Sequence, residues 1–317
     1  MKKRLFILFS VLIVVLLGCS HKKEKSRIIR VALLKGPSAI ALYPLLDSCY
    51  RINGRALEVA LYDNPEQVKA LMIKEKADLV ALPVATAANL YNKGLPYNYL
   101  GCPVWGNLFW VSRREGDKPQ PFPKIHLFGQ GTTPDILLSY LLTKDSFSSV
   151  KNFSRSYVYD TPQAIVQGLL GETVTDAILP EPFVSMVLSR DSMLYIRYDL
   201  ANSFSSRGFP QTALMLHERL KNEPEISEEL NRLFEKLCTK VNHADDHLKG
   251  LMVLKRLIPD KSTAHDVISR CGIRYQHASN IYKEVGDLLN ILYLYQPKAI
   301  GGKVPDIDFY ILSKTGL

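Results

Sequence analysis

Ala77-Asp78-Leu79-Val80-Ala81-Leu82-Pro83-Val84 decides the fold. Residues 79–82 are four apolar residues in a row, the mark of a strand covered on both faces. Pro83 ends that run, and a helix follows to about Gly94. The plan recurs 97 residues later in Asp176-Ala177-Ile178-Leu179-Pro180-Glu181-Pro182. Phe183, Val184, Val187 and Leu188 then continue as a helix with an apolar face. A buried strand that turns at a proline into a helix is one unit of a parallel α/β layout.

Working outward, the neighbouring turns repeat at the same interval. Pro65 and Pro162 are 97 residues apart, as are Pro37 and Pro134. Asn64-Pro65 and Thr161-Pro162 each read as an N-cap followed by proline at the first helical position. Residues 28–34, 57–62, 125–128 and 156–159 read as further strands. Gly129-Gln130-Gly131-Thr132-Thr133 is a glycine-rich turn into a helix whose Leu137, Leu138, Leu141 and Leu142 share a face. The repeat implies two similar α/β lobes. Beyond them, residues 223–241, 262–271 and 281–292 read as helices. Ile226, Leu230, Leu233, Phe234 and Leu237 give the first one apolar side.

The chain of 317 residues is long enough for two domains, and its 47% hydrophobic and 22% charged content suits a globular protein. Its start differs in kind. Met1-Lys2-Lys3-Arg4 is cationic, and residues 5–17 are apolar apart from Ser10, too few for a comfortable membrane span. Leu16-Leu17-Gly18-Cys19 closes the run and matches a bacterial lipobox, so residues 1–18 read as a signal peptide. Cys19 is then the lipidated residue, and polar residues 19–27 are a tether. Without Lys2, Lys3 and Arg4, 37 basic residues face 31 acidic ones, a net +6. That excess is spread along the chain with no basic stripe, which argues against nucleic acid as a partner. Cys49, Cys102, Cys238 and Cys271 match no zinc spacing, and their pairing as disulfides or survival as thiols is open.

Catalytic signatures are missing. There is no G-x-S-x-G elbow and no phosphate loop. His243 and His247 would share a face of one helix, but a solvated polar face is the plainer reading. No metal or cofactor is expected. What stands out is a set of helix starts after strands: Gly36, Pro37 and Ser38; Thr86; Gly131, Thr132 and Thr133; and Glu181. In parallel α/β sheets ligands bind at the carboxyl ends of strands, where helix N-termini offer free N–H groups. These residues are therefore the candidate ligand site. Glu181 is either a helix cap or a partner for an amine. Strand alternation puts Trp105 and Asn107 on one face, as ligand-contacting candidates, and Trp110 on the other.

Residues 31–39, 77–84, 90–94, 129–135 and 177–183 together resemble the type II periplasmic substrate-binding proteins of ABC importers. The similarity lies with the branch that binds nitrate, sulfonates, taurine and thiamine precursors. That resemblance implies a two-lobed fold, each lobe a mostly parallel sheet flanked by helices. Lobe I would comprise 28–112 plus 205–317 and lobe II 113–204, with crossovers near 109–113 and 203–216. It also implies a monomer that closes on a small polar or planar metabolite and docks on a permease with its ATPase. Same-fold enzymes of thiamine-pyrimidine or menaquinone synthesis are alternatives. The first carries a cysteine cluster this chain lacks, and the second is cytoplasmic. A sensory solute-binding lipoprotein is a third.

Overall fold

The computed structural model describes residues 28–114, 124–144, 147 and 153–312; the lipobox at Cys19 lies outside them. The first half runs β1 (Ile28–Leu34), α1 (Pro37–Ala41), α2 (Pro44–Asp47), β2 (Arg51–Ile52), β3 (Arg55–Tyr62), α3 (Pro65–Ile73), β4 (Leu79–Pro83), α4 (Val84–Asn92) and β5 (Tyr97–Val104). There follow β6 (Leu108–Arg113), β7 (Lys124–His126), α5 (Thr133–Leu141), β8 (Ser154–Ser156), α6 (Pro162–Leu170), β9 (Asp176–Pro180), α7 (Phe183–Leu188), β10 (Leu194–Asp199) and α8 (Leu200–Phe204). The chain then forms β11 (Thr212–His217), α9 (Glu218–Lys221), α10 (Pro224–Asn242), α11 (Asp246–Leu254), α12 (Ala264–Arg270), β12 (Ile273–His277) and α13 (Ala278–Tyr295).

Two sheets form: β12-β5-β11-β4-β1-β3-β2 in lobe I and β10-β6-β9-β7-β8 in lobe II. β1 pairs in parallel with β3 and β4, and β7 with β8 and β9. The 97-residue repeat is visible in the elements: α3 and α6, and β4 and β9, have the same lengths and that offset. The caps correspond too. Asn64 accepts from the N–H of Gln67 at 3.1 Å, and Thr161 from that of Ala164 at 3.3 Å.

Buried strands explain the apolar runs. Val80 and Leu82 point to one core and Leu79 and Ala81 to another, both faces being covered by helices. In lobe II, Ile178 and Trp110 face one side while Ala177, Leu179, Phe109 and Val111 face the other. The core that holds Val80 and Leu82 continues through Leu288 and Leu289 of α13 to Leu137 and Leu138 of α5, so one apolar cluster bridges the lobes. Phe234 and Ile226 of α10 bury the opposite face of the lobe I sheet. Each such large apolar side chain contributes about 1.5–3 kcal/mol on burial.

The chain passes between the sheets at residues 105–107 and 205–211. This is earlier than the expected 109–113, and β6 in its entirety belongs to the lobe II sheet, paired with β9 from Leu108↔Pro180 to Ser112↔Asp176. Gly106, at φ +60°, breaks the strand there. An added Cβ would lie 2.4 Å from that of Ala201. The break also removes the alternation assumed for Trp105 and Asn107: Trp105 forms an isolated bridge with Pro210, and Asn107 lies between β5 and β6. His243 and His247 do not share a helix: His243 caps the end of α10, and Asp245 caps the start of α11. Cys49 is exposed, Cys102, Cys238 and Cys271 are buried, and all four are free thiols.

Candidate functional site

Strand direction places the predicted residues on one edge. β4 and β1 end at Pro83 and Leu34, and β11 and β12, antiparallel to their neighbours, begin beside the ends of β4 and β5. In lobe II, β9 ends where β6 begins, and β7 runs parallel to β9. The carboxyl ends of the parallel strands in the two lobes therefore meet at the crossovers. Gly36, Pro37, Ser38 and Thr86 lie on the lobe I side; Gly131, Thr132, Thr133 and Glu181 lie on the lobe II side; Trp105 and Asn107 lie between them.

Gln211, which the sequence reading missed, ties this junction together. Its N–H donates to the Val104 carbonyl at 3.0 Å, and its own carbonyl accepts from Val84 at 3.1 Å. Its side-chain oxygen accepts from the Asn107 N–H at 2.8 Å. One residue thus links both crossovers to the start of α4. No residue-type motif marks it, because its role comes only from where β11 begins.

Asn107 is fully buried, and neither its side-chain nitrogen nor its side-chain oxygen has a partner. Its backbone carbonyl accepts from the Glu181 N–H at 3.3 Å. An unpaired buried amide costs on the order of 1–3 kcal/mol per group, so this arrangement is a place where a complementary donor and acceptor would be gained. Trp105 is also buried with its indole N–H unpaired. The Arg274 guanidinium lies 4.5 Å from its ring centroid and that of Arg207 5.8 Å. Trp110, by contrast, is core: its indole N–H donates to Asp176 at 2.8 Å.

The other predicted residues are partly spoken for. The Ser38 hydroxyl donates to the Leu34 carbonyl at 2.9 Å, and Thr132 donates to that of Gly129 at 2.8 Å. The Gly131 N–H donates to Asp135, which also accepts from Arg155 at 2.6 Å and Tyr157 at 2.8 Å. Gly131 has φ +69° and packs so closely on Gln296 that an added Cβ would sit 2.8 Å from its amide nitrogen. Lys35 is paired with Asp63 at 2.5 Å. Thr86 and Thr133 are half-buried.

Glu181 is fully buried and its carboxylate is occupied. It accepts from the Ser185 N–H at 3.1 Å and from the Ser185 hydroxyl at 2.9 Å, and Arg270 approaches at 3.3 Å. Burial pushes its carboxyl above the usual carboxylate range, and these donors only partly offset that. Its capping side is therefore realised, with an arginine in place of a ligand amine. His126, at the end of β7 beside Ala177, is held below the usual imidazole range by burial. A separate cavity of about 670 Å³ lies at the far end of lobe I, lined by Tyr91, Asn98, Glu218, Lys221 and Asp306 among others. It is remote from the strand carboxyl ends. Among the described residues no group of side chains could hold a metal ion, and no helix is long and apolar enough to cross a membrane.

This architecture is shared with solved proteins. An ABC transporter structure from Parabacteroides distasonis is 32% identical, covers 90% of this chain and 99% of its own, and superimposes with a TM-score of 0.81. The periplasmic aliphatic sulphonate binding protein SsuA from Escherichia coli is 13% identical over 92% of this chain and 94% of its own, with a TM-score of 0.72. The periplasmic sulfonate-binding protein of a putative sulfonate ABC transporter from Methylobacillus flagellatus is 15% identical over 92% of each chain, with a TM-score of 0.62. These last two show a common fold. No protein-family model and no curated protein matches the chain.

Proposed function

Since this chain belongs to the periplasmic substrate-binding proteins of ABC importers, we propose that it captures a small polar or planar metabolite between its lobes and delivers it to a membrane permease. The observation that carries the reading is Asn107, a fully buried amide with donor and acceptor both unpaired where the lobes meet. Around it, Gly36, Pro37, Ser38, Thr86, Trp105, Gly131, Thr132 and Thr133 would complete the site through backbone N–H groups and hydroxyls. Glu181 would support it from the side. Each lobe supplies part of the contact surface, so ligand binding favours closure.

The sequence of residues 1–19 supports export and a lipid on Cys19. An anchored binder stays near its permease, which raises its effective concentration there.

Thermal-shift screening of the mature chain with inorganic anions, alkanesulfonates and pyrimidines tests the proposal. At least one class should raise the melting temperature, and Asn107→Leu should abolish that rise while leaving the unliganded protein folded. A full shift retained in Asn107→Leu would remove Asn107 from the site. Stabilisation by a protein partner alone, with every small molecule inert, would overturn the importer reading.

A further inference from the structure

The lobes touch on both flanks of the crossovers, and the two contacts differ in chemistry. On one flank α5 packs against α13 through apolar side chains. On the other, a polar network crosses from lobe II to lobe I. Arg270, the last residue of α12, sends one nitrogen to Glu181 at 3.3 Å and to the Ser185 hydroxyl at 3.0 Å. Its other terminal nitrogen is held by Asp266, one helical turn back, at 3.0 Å. Glu181 has no solvent exposure, whereas the Arg270 side chain keeps 25%.

We propose that Arg270 is a positioning residue for lobe closure, latching lobe I to the buried Glu181–Ser185 pair of lobe II with groups that the protein supplies entirely. This goes beyond the ligand reading and rests on the fold alone. A buried carboxylate that loses its cation is heavily penalised, because nothing replaces the lost hydration. With Arg270 in place the closed arrangement is tolerated. Without it, the lobes gain by separating until water reaches Glu181. The latch thereby sets how much of the protein stands closed before any ligand arrives, and so scales the apparent affinity of the cleft.

The logic predicts an asymmetry. Arg270→Met should open the lobes, and adding Glu181→Gln should close them again, since a neutral amide can keep a hydrogen bond with Ser185 and needs no cation. The measurement is the spin-label distance between exposed Cys49 in lobe I and a cysteine at exposed Met193 in lobe II. It is made on unliganded protein with Cys19 replaced by Ser. Arg270→Met should raise the open-to-closed ratio roughly tenfold or more, and the double variant should return to the parent distribution. An unchanged distribution in Arg270→Met, or a double variant as open as the single one, would overturn the latch. If Arg270→Met does not fold, Arg270→Lys serves. It keeps the charge but cannot bridge Ser185 and Asp266 together, so it should open partway; no change would overturn the proposal equally.

Discussion

The turn after β4 and the turn after β9 come from the same repeated unit yet do different work. At Pro83-Val84 the backbone turns directly into a nine-residue helix, and its first N–H is taken by Gln211 at the crossover. At Pro180-Glu181-Pro182 the helix starts three residues after the strand and is shorter, and a buried carboxylate caps it and reaches the other lobe. The shared part is what any strand-to-helix unit needs: an apolar strand, a proline stop and an apolar helix face. The departures lie where one lobe has to meet the other. Repetition built the scaffold, and the contacts between the lobes came from breaking it.

Four of the following substitutions probe that comparison, and a pH measurement on a fifth refines it. The largest effect is expected from Trp110→Ala in lobe II, which empties a fully buried site and takes one donor from Asp176, leaving it the Ser112 hydroxyl at 2.6 Å. About 3–5 kcal/mol should be lost in denaturant unfolding. A much smaller loss would mean that the core around Trp110 collapses onto the void.

Gly272→Ala comes next. Gly272 has φ +57°, and a Cβ would lie 2.3 Å from the Trp105 carbonyl oxygen. The left-handed backbone alone costs about 1–3 kcal/mol. The close contact should also displace the hinge, read as a changed small-angle scattering profile at unchanged helix content. A profile identical to the parent would show that the hinge absorbs the clash.

Asn64→Ala and Thr161→Ala test the repeat itself. Each removes an N-cap bond in matching helices, and each should cost about 1 kcal/mol. A difference of more than about 1 kcal/mol between them would show that the two helices are not energetically equivalent.

The smallest effect concerns pH. Burial lowers the His126 pKa, so the unfolded chain binds its proton more readily. The stability linked to neutral His126 is complete above its unfolded pKa of about 6.5 and is lost as pH falls below that value. His126→Gln should flatten the pH dependence of unfolding in this window. His217 and His277 in lobe I are lowered too, chiefly by burial, so part of the slope should remain. A slope unaffected by His126→Gln would assign the whole dependence to lobe I.

Much of the scaffold was legible because its signals are local. Asn64-Pro65 and Thr161-Pro162 start helices where expected. The apolar run at 79–82 became β4, the run at 177–179 became β9, and the stripe around Phe234 became the buried face of α10. The candidate site was legible only as an edge: strand direction placed the turns together, and Trp105 and Asn107 stand beside them for a reason other than alternation. Alternation was assumed through Gly106, whose φ of +60° ends the strand. Gln211 and Arg270 carried no local signal at all, because their partners stand 104 and 89 residues away.

The sequence by itself determined the repeated units: the strands at 28–34, 57–62, 79–82 and 177–179, the helix starts at Pro65 and Pro162, and that one plan occurs twice. Periodicity, prolines and caps act within a few residues, so they can be read without a fold. Only the tertiary structure decided what each unit faces. It buried Glu181 against Arg270, left the Asn107 amide unpaired, and joined the lobes through α5 and α13. Burial and charge pairing depend on what arrives from distant parts of the chain, and that is settled by packing.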